Sequence, residues 1–117
     1  MKIDRNKVHE KYAGRCAYCG VPISIKEMHV DHIHPQFLAD DLNGKNVDNY
    51  ENLNPACRVC NLWKKTFSVD EFRHEIEMQT ERLRRHSASF RLAEKYNLIA
   101  TAHREIRFYF ERRWVRP

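Results

Sequence analysis

Residues 57–64 read CRVCNLWK, a CxxC pair that runs directly into a segment with helical character. The same spacing occurs earlier in residues 16–19, CAYC, and the two pairs together use all four cysteines of the chain. Two CxxC pairs form the ligand pattern of tetrahedral zinc, whereas a redox motif needs only one pair. A redox role and four unrelated buried thiols are the alternatives. We therefore predict a structural zinc ion bound by Cys16, Cys19, Cys57 and Cys60.

The composition describes a single small domain with a modest core. The chain has 117 residues, 42% of them hydrophobic and 11% aromatic, with a mean hydropathy of −0.77. These values exclude a disordered or a membrane-embedded chain. No apolar run approaches the roughly 20 residues that cross a bilayer, and the N-terminal segment lacks the apolar stretch of a secretory signal. We expect a cytoplasmic protein, in which disulfides are rare and zinc binding adds to the folding energy.

The net charge of +5 lies in the C-terminal third of the chain. Residues 1–79 carry 11 Lys and Arg against 12 Asp and Glu, and residues 80–117 carry 10 against 4. Such a basic segment suits the phosphate backbone of a nucleic acid, although a solvated helix face explains charge alone equally well. The clustered arginines are Arg82, Arg84, Arg85 and Arg91.

Local patterns predict the order of elements in the first half of the chain. A short helix is expected over residues 4–13, and a strand over residues 27–33, where β-branched residues are frequent and Pro35 ends the run. Residues 36–51 are polar and lack a sustained period, which indicates a loop of the kind that is often functional. Residues 52–57 can supply a second short strand before the helix that follows the second cysteine pair.

The C-terminal half has helical character. Ser68 and Glu71 form a capping box, and apolar residues then recur with a helical period, which predicts one amphipathic helix to about Arg85. A second short helix is expected over residues 87–97. In residues 105–114 apolar and polar residues alternate, which favours a strand, although some apolar residues there are also four apart, which leaves a helix open.

Residues 29–35, HVDHIHP, concentrate groups that bind metals and protons. The Asp31 carboxylate is a hard oxygen ligand that suits Mg²⁺ or another divalent ion, and the His32 imidazole titrates near neutrality, as a general base for water should. Asn61, at the entry of the helix after the second cysteine pair, can add an amide oxygen. Because neighbouring side chains of a strand point to opposite faces, Asp31 and His32 can share a site only if the strand end twists or frays.

Each of these polar residues also has a structural interpretation. A histidine in a strand is more often structural than catalytic, and this applies first to His29 and His34. Asn61 could be a plain N-cap and Asn52 a turn residue. Trp63 is expected in the core rather than stacked on a base.

The order and spacing of these segments resemble the HNH endonucleases. The zinc-containing members of that family show DHIxP, then NL, then CxxCNxxK, and the matching residues here are D31HIHP35, Asn52-Leu53 and C57RVCNLWK64. The resemblance covers about residues 14–73 and departs from the family after Pro35, where FLADDLNG replaces the usual paired glycines. It implies a ββα-metal fold, in which strand, loop, strand and helix frame one metal ion.

Carried over to this chain, the resemblance assigns a role to each matching polar residue. Asp31 and Asn61 become ligands of a catalytic divalent ion such as Mg²⁺, His32 the general base, and Asn52 the residue that braces the loop and holds the base in register. The implied reaction is hydrolysis of a DNA phosphodiester bond by a one-metal mechanism that leaves 5′-phosphate and 3′-hydroxyl ends. DNA contacts are expected from the side chains of Arg58, Lys64, Lys65 and His34.

We therefore expect a single α+β domain over residues 1–117, with a ββα-metal core on the zinc site at about residues 14–73 and a helical, basic extension at about residues 74–117. Its expected function is metal-dependent cleavage of DNA without membrane association, and its C-terminal helices could pair two copies in a homodimer. Two other classes stay open, a non-catalytic zinc module that binds nucleic acid and a protein-interaction domain. Cleavage in the presence of a divalent ion separates the nuclease from both.

Overall fold

The fold combines a two-stranded antiparallel sheet with short helices. The structure, a computed structural model, describes residues 3–34 and 49–115, with side chains described to residue 112. The predicted α+β class is confirmed, whereas most of the predicted loop at residues 36–51 lies outside the described residues. The helices within those ranges are all too short or too polar to cross a membrane. The elements are, in chain order, α1 (Arg5–Glu10), β1 (His29–His32), a 3-10 turn (Tyr50–Asn52), β2 (Leu53–Ala56), α2 (Arg58–Lys64), α3 (Val69–Glu77), α4 (Gln79–His86), α5 (Ala88–Lys95) and α6 (Tyr109–Val115).

The two strands form a ladder that leads directly into a helix. β1 and β2 pair antiparallel, with His32 opposite Leu53, and β2 is buried at every position because it lies between the other elements. The thiol of Cys57 caps α2 by accepting a hydrogen bond from the N–H of Cys60 at 3.4 Å. Strand, strand and helix therefore follow one another as predicted.

The first cysteine pair lies on a tight turn, residues 16–20, which we call the first knuckle. The backbone N–H of Gly20 donates to the carbonyl of Cys16 at 3.0 Å, and Gly20 has a φ of +82°, which residues with a side chain rarely adopt. The N–H of Ala17 donates to the carbonyl of Pro55 at 2.8 Å. This bond holds the first knuckle against β2.

Aromatic rings fill the space between the first knuckle, α3 and the C-terminal residues. The ring of Tyr18 meets that of Phe108 at a centroid distance of 5.2 Å and that of Phe72 at 5.6 Å, while Phe72 and Phe108 stack at 5.2 Å. Each of the three is 2% exposed. Buried aromatic rings dominate the energetics of small cores. The contacts among these three rings therefore hold together segments that are distant in sequence. A second, smaller cluster consists of Val8, Ile23, Met28 and Leu53.

The single helix predicted after Ser68 is divided in two. The capping box is present, because the N–H of Glu71 donates to Ser68 Oγ at 3.1 Å and the N–H of Ser68 donates to Glu71 Oε1 at 2.8 Å. α3 ends before Met78, and α4 begins directly after it. At this break the side-chain amide of Gln79 donates to the carbonyl of Glu75 at 2.8 Å. This local hydrogen bond gives the carbonyl of Glu75, near the end of α3, a side-chain donor. Hydrophobic periodicity does not reveal such a bond.

The strand favoured for residues 105–114 is wrong, because residues 105–108 are neither strand nor helix and α6 begins at Tyr109. The N–H groups of Tyr109 and Phe110 donate to the carbonyls of Tyr18 at 2.9 Å and Ala17 at 2.8 Å. N–H groups in the first turn of a helix have no partner within the helix. The first knuckle supplies the missing acceptors and so favours a helix start at this point.

We call residues 106–112 the C-terminal segment, and an ion pair fastens it to α3. The guanidinium of Arg73 donates to the two carboxylate oxygens of Glu111 at 2.8 and 2.7 Å, and to the carbonyl of Ile106 at 2.7 Å. The hydrogen bond from Arg73 lowers the pKa of Glu111. The ionised form of Glu111 is therefore favoured by folding.

We expect Glu111→Gln to cost about 1 kcal/mol of stability at neutral pH. Since the folded pKa of Glu111 is lowered, the stabilisation is present above the ordinary carboxyl pKa and is lost as the pH falls through the lowered value. Thermal unfolding at a series of pH values checks this, with the exposed Glu105→Gln as control. A deficit of the Glu111 variant that stays constant into the acid range would contradict the prediction.

Candidate metal centre and active site

The four cysteines meet between the first knuckle and the start of α2. Their sulfur atoms all lie within 4.8 Å of one another, and none of the four is in a disulfide. The Sγ atoms of Cys19 and Cys57 are 3.8 Å apart, which is about the edge of a tetrahedron with zinc–sulfur bonds of about 2.3 Å. The prediction that the four cysteines are positioned to form one zinc site is confirmed.

The electrostatics of this cluster suit a bound cation. A hydrogen bond from the Cys60 thiol lowers the pKa of Cys16 to about 4, and the same bond raises the pKa of Cys60 far above its ordinary value. Burial raises the pKa of Cys19 to about 11. One thiolate in the cluster therefore opposes ionisation of its neighbours. A zinc ion fits because its charge stabilises all four thiolates together.

Asn52 fixes the chain just beyond the end of β1. Its side-chain oxygen accepts a hydrogen bond from the N–H of His34 at 2.8 Å, and its side-chain nitrogen donates to the carbonyl of His34 at 3.0 Å. The carbonyl of Asn52 also accepts from the N–H of Ile33 at 2.8 Å. The two residues that follow His32 are thus tied to the 3-10 turn that leads into β2, which is the geometry that a bracing role requires.

Asp31 points into the interior, where a polar network surrounds its carboxylate. The Tyr18 hydroxyl donates to Asp31 Oδ2, and the Lys64 ammonium donates to Asp31 Oδ1 at 3.1 Å. The side-chain amide of Asn54 donates to the Tyr18 hydroxyl at 3.4 Å. Burial raises the pKa of Asp31, and the charge of Lys64 opposes this rise. The network joins the first knuckle, both strands and α2.

Lys64 lies in a different place from the one that the sequence predicts. Its side chain is 0% exposed, and its ammonium donates to Asp31 and also to the carbonyl of His32 at 3.0 Å. An ammonium enclosed in this way does not reach a phosphate, so the expected DNA contact does not fit this position. Arg58 and Lys65, at the two ends of α2, are exposed and remain candidates for such contacts.

Asn61 and Lys64 lie three residues apart in α2 and therefore share one face of that helix. Because Lys64 reaches Asp31 and the carbonyl of His32, this face is turned towards the end of β1. A carboxylate and an amide oxygen are suitable ligands for a hard divalent ion. Each carboxylate oxygen has two lone pairs, so the bonds from Tyr18 and Lys64 leave one on each.

The cysteine cluster and the predicted catalytic site differ in their donor sets. Among the residues that the structure describes, the cysteine cluster is the one place where three or more His, Cys, Asp or Glu side chains lie close enough together to hold an ion. A second ion near the end of β1 would therefore depend on the amide of Asn61 as well as on Asp31. Hard oxygen donors of this kind suit Mg²⁺ rather than zinc.

His32 ends β1 with a half-buried side chain. The pairing with β2 is regular through this residue, so Asp31 and His32 leave the strand in opposite directions, and Asp31 takes the inward one. A site that uses both groups therefore forms around the end of the strand rather than on one of its faces. Nearby, the Nε2 atom of His34 is buried and has no hydrogen-bond partner among residues 3–34 and 49–115.

The prediction that Trp63 lies in the core is wrong, because this residue is on the outward face of α2. Trp63, expected in the core, is 49% exposed, and Val59 and Leu62 are 62% and 53% exposed. The cysteine pair and Lys64 anchor α2 to the rest of the fold. The helix therefore does not need Trp63 for its packing.

The basic residues of α4 and α5 are largely neutralised by neighbouring groups. Arg91 donates to the carbonyls of Arg84 and Arg85 at 2.7 and 3.2 Å, and the other arginines form ion pairs. This arrangement favours a solvated helix face over a DNA footprint. The ion pairs are Arg82 with Glu75 (2.9 Å), Arg84 with Glu94 (2.8 Å) and Arg85 with Glu81 (3.2 Å).

Sequence reasoning misses two members of the polar network. Tyr18 stands between the cysteines of the first pair and gives no signal of its own. Asn54 gives a weak one, because a polar residue in a fully buried strand needs a hydrogen-bond partner. Even here the side-chain oxygen of Asn54 has no partner in the described parts of the chain.

The comparison with known families matches the part of the chain that carries the cysteine cluster and the end of β1. Residues 16–67 fit the family model described as HNH endonuclease. This range begins at the first zinc-site cysteine, includes both strands and α2, and ends before α3. No curated protein and no solved structure matched the chain.

Proposed function

We propose that the chain is a metal-dependent endonuclease that hydrolyses phosphodiester bonds in DNA, because residues 16–67 match the family model described as HNH endonuclease. The family supports the reaction class. The observation that carries the proposal is the arrangement at the end of β1, where Asn52 fixes the chain after His32 and Lys64 fixes the carbonyl of His32 itself. A general base acts well only when it is held in one position relative to its water.

In the proposed reaction, His32 removes a proton from the water that attacks phosphorus. A divalent ion such as Mg²⁺ would be held by Asp31 and Asn61, and when bound it supplies positive charge to the phosphate and to the leaving 3′ oxygen. Breaking the bond between phosphorus and the 3′ oxygen leaves 5′-phosphate and 3′-hydroxyl ends. The exposed cations on α2 would position the DNA backbone without reading its sequence.

Replacement of His32 tests the proposal, with His29 as the matched control. Both histidines lie on β1, but His29 is exposed and pairs at the other end of the ladder, opposite Ala56. We expect His32→Ala to slow the nicking of supercoiled plasmid by about 10²-fold or more, whereas His29→Ala should cleave like the wild type. Both variants should melt like the wild type, because neither side chain belongs to a buried hydrophobic cluster.

Three outcomes would contradict the proposal in different ways. Wild-type activity of His32→Ala would exclude this residue as the base. Salt-dependent DNA binding without cleavage in Mg²⁺ or Mn²⁺ would favour a non-catalytic zinc module, and the lack of both would favour a protein-interaction domain. Nicks that DNA ligase does not seal directly would contradict the proposed end chemistry, since ligase joins 5′-phosphate to 3′-hydroxyl ends.

A homodimer through the C-terminal helices stays a prediction. Leu92 in α5 and Tyr96 directly after it have large apolar side chains that are 59% and 67% exposed. A single active site cuts one strand at a time, so paired copies would be needed to cut both strands together. The molecular mass in solution, with and without DNA, tests this part of the proposal.

A further inference from the structure

Lys64 is the feature of α2 that the proposed reaction leaves unexplained. Its ammonium is fully buried, 3.1 Å from Asp31 Oδ1 and 3.0 Å from the carbonyl of His32. Ordering a lysine side chain and removing its charge from water both cost free energy. Apolar side chains of similar volume often make such positions as stable or more stable. Stability alone therefore does not account for a lysine here.

The contacts of Lys64 fall on two consecutive residues of β1. One bond holds the carboxylate of Asp31, and the other holds the backbone carbonyl of His32. Together they fix the rotation of the last peptide unit of the strand, from which the His32 side chain extends. The Tyr18 hydroxyl holds the second oxygen of the same carboxylate from the side of the first knuckle. The strand end is thus held from two elements at once.

We propose that Lys64 and Tyr18 are positioning residues of the active site, which hold Asp31 and the carbonyl of His32 so that the end of β1 keeps one conformation. This inference rests on the proposed function, in which His32 is the base. It also connects the zinc site to the reaction. Each positioning residue lies within four positions of a zinc-site cysteine. The cysteine cluster therefore anchors the two chain segments that carry Tyr18 and Lys64.

The two lysines at the end of α2 provide a matched pair of variants. Lys64→Met and Lys65→Met remove the same charge, the first from the interior and the second from the surface. For Lys64→Met we expect kcat for plasmid nicking to fall about 10- to 100-fold, as is typical for groups that orient a reacting residue, while KM stays within about threefold. For Lys65→Met we expect a higher KM and weaker, less salt-dependent DNA binding. DNA affinity is measured in the His32→Ala background, where cleavage does not interfere.

The position of His32 provides a readout that does not depend on cleavage. Its imidazole resonances in the zinc-loaded protein, assigned by their loss in His32→Ala, should shift in Lys64→Met and in Tyr18→Phe but not in Lys65→Met. Tyr18→Phe removes one hydroxyl and keeps the ring in the core, so it should stay folded. It carries the test if Lys64→Met does not fold after Asp31 loses its cationic partner.

The inference and the proposed function fail in distinguishable ways. Folded Lys64→Met protein with wild-type kcat and unshifted His32 resonances would overturn the inference. A loss of DNA affinity as large as that of Lys65→Met would also overturn it, because Lys64 would then be a phosphate contact. If Lys64→Met is unfolded, wild-type kcat and unshifted resonances in Tyr18→Phe decide against the inference. If only the proposed function fails, His32→Ala has no effect on cleavage while the resonance shifts persist.

Discussion

Removal of zinc is expected to unfold the chain rather than only to inactivate it. A structural zinc ion contributes about 10–16 kcal/mol of binding free energy near neutral pH, whereas a folded domain is stable by only about 5–15 kcal/mol. In this chain the ion would join the first knuckle to the start of α2, where the four sulfur atoms lie within 4.8 Å of one another. Cys16→Ser should have the same effect, because Cys16 is fully buried in the hydrophobic cluster that contains Tyr18 and Phe108.

Circular dichroism and melting curves, recorded with and without a zinc chelator, check this expectation. Zinc added after chelation should restore the native spectrum and magnesium should not, because thiolates select zinc over a hard cation. Cleavage should instead depend on the hard divalent ion in protein that keeps its zinc. A Cys16→Ser variant that melts at the wild-type temperature would contradict the structural role of the cluster.

Truncation of the C-terminal segment is expected to be nearly as damaging. Phe108→Ala removes a ring that is 2% exposed and lies against Tyr18 and Phe72, and such a change costs about 3–5 kcal/mol. A chain that ends at residue 104 also loses Phe110, α6 and the ion pair with Arg73. We expect this truncated chain to lack a cooperative unfolding transition in urea.

Leu98→Ala is the matched control for Phe108→Ala, because Leu98 is 78% exposed and surface substitutions usually change stability by less than about 0.5 kcal/mol. A truncated chain with the urea midpoint of the wild type would contradict the prediction. The proposal that residues 1–117 form one domain depends on this result. If it holds, the segment that matches the HNH family does not fold by itself.

The sequence predicts the zinc site and the order of strand, strand and helix because both depend on local spacing. Cysteine pairs can bring four thiolates to one ion in few ways, and the capping box at Ser68 specifies a helix start from four residues. The fold class follows from these local patterns. The motif around Asp31 and His32 adds the resemblance to the HNH endonucleases, and the family model described as HNH endonuclease matches residues 16–67.

What the sequence does not reveal depends on contacts between distant residues. Lys64 and Lys65 are adjacent and chemically identical, yet one is buried against β1 and the other is exposed, so only the packing of α2 separates them. The alternation in the C-terminal segment indicates a strand, but the carbonyls of Tyr18 and Ala17 accept hydrogen bonds from the first N–H groups of α6 and so favour a helix start. In both cases the deciding partner lies more than 30 positions away in the chain.

The contact between Tyr18 and Phe108 has a consequence for folding during synthesis on the ribosome. These rings touch although their positions differ by 90 (108 minus 18). At about 5–20 residues per second, a ribosome finishes Cys60 roughly 3–10 s before it adds Phe110. During that interval the nascent polypeptide already carries the four cysteines of the zinc site but lacks Phe108 and Phe110, so we expect the main hydrophobic core to close only after the C-terminal segment has been synthesised.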